Sequence, residues 1–107
     1  MADFFIRKGD RLPAIEAELS RQGKVADLTL ASSVQLIYQP EAGGVVVTRA
    51  AQIVSALLGT VKYSWAAEDT ATVGIFLIYF QVTWPGGILE SFPNRAHNKF
   101  SVTPIFG

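Results

Sequence analysis

Few side chains in this sequence have the types and spacing that chemistry needs. His97 is the sole imidazole, so any Ser-His-Asp arrangement or histidine-based metal site would have to use it. It lies in the polar run Asn94-Arg95-Ala96-His97-Asn98-Lys99, beside Pro93, and reads as a solvated loop residue. Glu68-Asp69 could supply half of an acid–base pair. Adjacent carboxylates at a corner more commonly form turns, and Asp69-Thr70 reads as a turn capped through a side-chain oxygen. Asp10, after Gly9, and Asp27, before Leu28-Thr29, read as turn residues too. Without cysteine there is no disulfide, thiolate metal site or cysteine nucleophile. Gly43-Gly44 and Pro85-Gly86-Gly87 fall between strand-like runs, and a phosphate loop needs a helix N-terminus after its glycines. Arg7, Lys8 and Arg11 make a small basic cluster, with Asp10 among them. The expectation is a chain with no catalytic residue, no cofactor and no metal.

Composition points the same way. Nine Lys and Arg balance nine Asp and Glu, so no bulk positive field draws nucleic acid. Half of the 107 residues are hydrophobic, too many for a disordered solvating segment and enough for one core in a single domain over residues 1–107. The apolar run at Phe4-Phe5-Ile6 is too short for a secretory signal. Val73 to Trp84, broken by Gln81 and Thr83, is too short to span a bilayer. Neither nucleic acid nor membrane is expected as a partner.

The elements that would position these residues are mostly strands. Glycine-rich punctuation recurs every ten to fifteen or so residues, as in all-β sandwiches and barrels. Ala14 to Ser20 alternates strictly, with Ile15, Ala17 and Leu19 on one face and Glu16, Glu18 and Ser20 on the other. A turn follows at Arg21-Gln22-Gly23-Lys24. Further strands are expected at Val34 to Gln39, Val45 to Thr48, Thr60 to Trp65, Gly74 to Trp84, Ile88 to Phe92 and Lys99 to Thr103. Ala50 to Leu58 has some helical spacing, but Gly59 and the β-branched flanks favour strand, turn, strand. Ala66 to Thr72 reads as one helical turn or a tight corner. The N-terminal half of Gly74 to Trp84 is apolar on both sides, which predicts a central strand whose second face is covered by something beyond its own sheet. The expected core is Ile15, Leu19, Leu36, Val61, Trp65, Phe76, Phe80 and Phe92.

The order of these motifs resembles a known family. Gly9-Asp10, Pro13, Ile15-x-Ala17-x-Leu19, Gly23 and Asp27-Leu28-Thr29 look like the first half of the immunoglobulin-like N-terminal domain of phage baseplate upper proteins. Gly59-x-Val61-x-Tyr63-x-Trp65, Asp69-Thr70, Gly74-x-Phe76, Phe80-x-Val82, Gly87 and Phe92-Pro93-Asn94 resemble its closing strands. The likeness runs from about residue 4 to 103, at the usual boundary precision. Leu30 departs from the glycine that members often carry after Asp-Leu-Thr, and Ile88-Leu89 is more apolar than a solvated edge. The resemblance implies an immunoglobulin-like β-sandwich of seven to nine mostly antiparallel strands. It also implies a structural role in a tailed-phage particle (tail, baseplate, neck or capsid surface), assembled in the host cytoplasm, with other virion proteins as partners and multiple copies in a symmetric assembly.

The residues give their own reason to expect protein contact. Strand edges must be blunted or covered. Pro93, Arg7, Lys8 and Lys99 are blunting devices, whereas Phe4-Phe5-Ile6 and the Ile88-Leu89 hairpin are less protected. Phe5, Trp84, Ile88 and Leu89 are therefore the expected contact residues, with Trp84 also placed to serve as a core edge. Two alternatives compete: a carbohydrate- or receptor-binding module using Trp84 and Tyr79 as a platform, and a hydrolase centred on His97.

Overall fold

The computed structural model describes residues 4–21, 23–92 and 99–104. His97 and Pro93 lie outside them. The strands are β1 (Phe4–Arg7), β2 (Ile15–Glu18), β3 (Ser20–Arg21), β4 (Lys24–Val25), β5 (Ser33–Pro40), β6 (Val47–Ala50), β7 (Gln52–Ser55), β8 (Thr60–Tyr63), β9 (Gly74–Trp84), β10 (Ile88–Phe92) and β11 (Lys99–Thr103). A 3-10 helix over Ala67–Thr70 joins β8 to β9, and no helix is long and apolar enough to cross a membrane among the described residues.

The chain is an all-β sandwich. One sheet runs β1-β11-β9-β5-β6, with β10 on the same edge of β9 as β11. Thus β9 is paired along its length with β5 on one side. On the other it pairs first with β11, then with β10. The second sheet runs β2-β8-β7, and β3 and β4 form a short hairpin. All pairs are antiparallel except β1 with β11.

The period of two builds the core. Ile15, Ala17 and Leu19 face inward from the second sheet, while Glu16 and Glu18 are exposed. Val34, Leu36 and Tyr38 meet them from β5, and Ile78, Phe80 and Val82 from β9. Trp65 follows β8 and fills the space between sheets. Its ring lies 4.7 Å from that of Phe100 and 5.4 Å from that of Tyr63, and its indole N–H donates to the Pro13 carbonyl at 3.0 Å. Seven of the eight expected core residues are buried. The eighth, Phe76, is half-buried, because it stands near the open end of β9 and stacks on Phe100.

Gly59 is required where it stands. It turns β7 into β8 at a φ of 65°, and an added Cβ would come within 2.6 Å of the Ala26 carbonyl and 2.8 Å of the Leu19 carbonyl. One expectation needs correction. The strand expected at Val45 to Thr48 begins at Val47, opposite Tyr38. Gly43 and Gly44 at positive φ carry the chain through a wider loop that leaves Val45 and Val46 exposed. Among the described residues nothing covers the second face of β9, where Ile75, Leu77 and Tyr79 are 47%, 39% and 36% exposed.

Candidate functional site

The chemically densest place in the molecule is Asp69, fully buried at the corner between β8 and β9. Four donors converge on its carboxylate. The Tyr38 hydroxyl donates to Oδ1 at 2.6 Å and the Arg49 Nε–H to the same oxygen at 3.0 Å. The Tyr63 hydroxyl donates to Oδ2, as does the Ala66 backbone N–H at 2.8 Å. Each donor arrives from a different element. Tyr38 and Arg49 occupy inward positions on β5 and β6, Tyr63 an inward position on β8, and Ala66 precedes the 3-10 helix.

Burial by itself pushes the Asp69 carboxyl up, but the bonds from Tyr38, Tyr63, the Ala66 N–H and Arg49 outweigh it and hold the carboxyl below its ordinary value. Burial, reinforced by the ionised Asp69, pushes the Tyr38 phenol up to about 12 and the Tyr63 phenol up as well. At neutral pH the carboxylate is ionised and both phenols are protonated. No group in this cluster is poised to trade a proton near pH 7, and the carboxylate's lone pairs are engaged by fixed donors. The arrangement is a clasp: it pins the β5–β6 hairpin of one sheet to the end of β8 in the other. A cavity of about 350 Å³ opens beside it, lined by Tyr38, Pro40, Val47, Glu68, Asp69 and Phe76 among others.

The Asp69 cap expected from sequence is therefore present, through Ala66. The three side-chain partners were not foreseen. A signal for them existed: Tyr38 and Tyr63 both fall on inward positions, and buried hydroxyls need acceptors. The other aspartates remain turn residues. Asp27 accepts from the Thr29 N–H at 2.9 Å and from its hydroxyl, which together lower its pKa. Asp10 donates its N–H to the Arg7 carbonyl and accepts the Thr70 hydroxyl on its own carbonyl. Arg11 leaves the small basic cluster to donate its Nε–H to the Trp65 carbonyl at 3.1 Å.

The contact residues expected from sequence fall in two places. Ile88 and Leu89 are exposed at the β9–β10 hairpin. Trp84 is half-buried at the base of that hairpin, where its N–H donates to Glu90 at 3.0 Å. Exposed Leu30 lies at the same end, in the loop that leads into β5, since the Ser32 N–H bonds the Thr83 carbonyl. Phe5 is exposed elsewhere, on β1 at the far flank of the larger sheet. Trp84 and Tyr79 point to opposite faces of β9, so they do not form one stacking platform. Among the described residues no three His, Asp or Glu side chains gather as a metal would require. The fold and its buried clasp define an all-β sandwich domain; its sequence matches no protein-family model and none of the curated proteins compared with it.

Proposed function

We propose that this domain is a protein–protein attachment module of a tailed-phage particle, working by contact rather than catalysis. The observation that carries the reading is the β9–β10 hairpin. Ile88 and Leu89 stand exposed at the end of the longest strand pair, next to Trp84 and at the same end as Leu30. A flat apolar tip on an immunoglobulin-like sandwich suits insertion into a partner's groove. The resemblance of its motif order to that of phage baseplate upper proteins supports the particle as its setting, other virion proteins as its partners and the virion as its location. Asp69, the one buried carboxylate among the described residues, is engaged in holding the fold, which also favours a role in contact.

The test is incorporation into particles. The wild-type chain should be present in purified virions by mass spectrometry. A chain carrying Ile88→Ser and Leu89→Ser should keep its far-ultraviolet circular dichroism yet incorporate poorly. A wild-type chain absent from particles, or a double variant that incorporates normally, would sink the reading.

A further inference from the structure

The register of the larger sheet sorts its residues into an inner and an outer face. Tyr79, Leu77 and Ile75 of β9 lie on the outer face, in line with Ile37 and Gln39 of β5, Thr48 of β6, Ser101 of β11 and Phe5 of β1. Ile37 is buried yet does not belong to the core between the sheets, so it packs within this outer layer. Phe5, Ile75, Leu77 and Tyr79 are exposed. The charges on this face are few: Arg7 near its margin and one ion pair, Lys99 with Glu41 at 2.5 Å.

That ion pair has an informative position. Lys99 stands opposite Leu77 on one flank of β9, and Glu41 joins the other flank through its N–H to the Ile75 carbonyl. Their side chains therefore meet across the outer face of β9, over the apolar row.

We infer that this outer face is a contact between two copies of this chain, related by a two-fold axis along β9. Such an axis turns one face onto the other and exchanges the flanks, so each Lys99 comes to lie over the partner's Glu41. The charges that straddle the apolar row are then complementary to themselves, as an isologous contact requires. Pleated faces pack on one another with strands nearly aligned, and an axis along β9 keeps the two β9 strands parallel. β1 and β11 flank β9 over Gly74 to Leu77, and β6 and β10 flank the β5–β9 pair farther along, so the face is three to four strands wide over the length of that pair. The exposed middle row of Ile75, Leu77 and Tyr79 is apolar, as an interface core is, and the Lys99–Glu41 pair lies across it. The chain's zero net charge adds no repulsion between copies.

Of the hairpin tip only Leu89, opposite Thr83, shares this face, while Ile88, opposite Trp84, points the other way, so variants at Ile88 and in the Ile75–Tyr79 row test the two readings separately. Sedimentation velocity of the full chain across a concentration series should show a reversible dimer. Leu77→Lys places an unpaired charge in the middle of the face and should weaken the dimer by about tenfold or more. Tyr79→Thr, which keeps strand propensity, should weaken it too and serves if Leu77→Lys loses the fold by circular dichroism. Lys99→Glu should weaken it through like charges, and Lys99→Glu combined with Glu41→Lys should restore it. Ile88→Ser, on the opposite side of β10, should leave it intact. A wild-type chain that stays monomeric at the highest concentration, or a dimer that persists in folded Leu77→Lys or Tyr79→Thr, overturns the proposal.

Discussion

The two outer faces of the sandwich have opposite characters. On the three-stranded sheet, Glu16 and Glu18 of β2 stand outward, with Lys62 of β8 opposite Glu16 and beside Gln52 of β7. Every outward position there except Val54 is polar, and cross-strand neighbours carry opposite charges. On the six-stranded sheet the exposed row of Ile75, Leu77 and Tyr79, with Phe5 on β1, stands among uncharged polar neighbours such as Gln39, Thr48 and Gln81 and is crossed by the Lys99–Glu41 ion pair. Both sheets bury the same kind of inner face. The difference lies in the middle of the outer face: charged side chains on one sheet, an exposed apolar row on the other. That row is what the proposed contact between copies would cover.

That contrast has meaning only if both faces back onto one shared core, and the strongest test is to empty it. Trp65→Ala removes a side chain that touches β8, β1 and β11 residues at once. It should cost about 3–5 kcal/mol, read as a fall in the urea midpoint with one cooperative transition. Two separate transitions would mean that the sheets fold independently, and the comparison of their outer faces would lose its basis.

A second break is aimed at the clasp that joins the sheets at one end. Asp69→Asn keeps the shape but removes the charge that Tyr38, Tyr63 and Arg49 all address. Because Arg49 remains about a third exposed, the loss should be near the low end for a broken buried pair, about 3 kcal/mol. The pH dependence follows from the same geometry. Asp69 titrates below its ordinary value when folded, so its contribution is present above the unfolded carboxyl pKa of about 3.9 and is lost as pH falls through the lower folded value. Tyr38 is pushed up to about 12 and Tyr63 is raised as well. Their contribution is present below the unfolded phenol pKa of about 10 and is lost as pH climbs from there through the folded values. Denaturant midpoints measured against pH should fall at both extremes, and Tyr38→Phe with Tyr63→Phe should flatten the alkaline limb. An alkaline limb unchanged in that double variant would show that the phenols are not held by the carboxylate.

Much of this architecture was legible in the sequence, and the reason is local. Strict alternation at Ile15 to Leu19 fixes which side faces the core there, and the glycines fix where strands end. Gly74 to Trp84, Ile88 to Phe92 and Lys99 to Thr103 need no tertiary information to be read as strands. The displaced start of β6 is different: Val45 and Val46 have strand propensity, but pairing with Tyr38 begins only at Val47, and register is a tertiary property. The clasp is further from view. Asp69 reads as a cap because its backbone partner is three residues away, whereas Tyr38 and Arg49 lie 31 and 20 residues distant. The contact residues divide likewise. Ile88 and Leu89 stand out in the sequence as apolar residues at a turn, while the outer row of β9 shows that β9 is apolar on both sides without showing what meets its second face.

The smallest expected effects are those that compare the faces directly. Glu16→Lys turns an opposite-charge neighbour of Lys62 into a like-charge one and should cost roughly 0.2–1 kcal/mol, the range for cross-strand pairs. Leu77→Thr puts a β-branched residue, well suited to a strand, in its place and gives up only the part of the leucine that the monomer covers. With that side chain 39% exposed and its burial complete only against a partner, the loss in dilute monomer should stay within about 1 kcal/mol. Both variants should therefore unfold close to wild type when measured well below the concentration at which copies associate. At higher concentration they should part company: Glu16→Lys should behave as wild type, and Leu77→Thr should lose whatever stability association adds, since binding to the folded state alone raises apparent stability by mass action. If Leu77→Thr instead costs as much as a core substitution in dilute solution, about 2 kcal/mol or more, the outer row of β9 is holding the monomer together. The two faces would then differ because the larger sheet has a second core of its own.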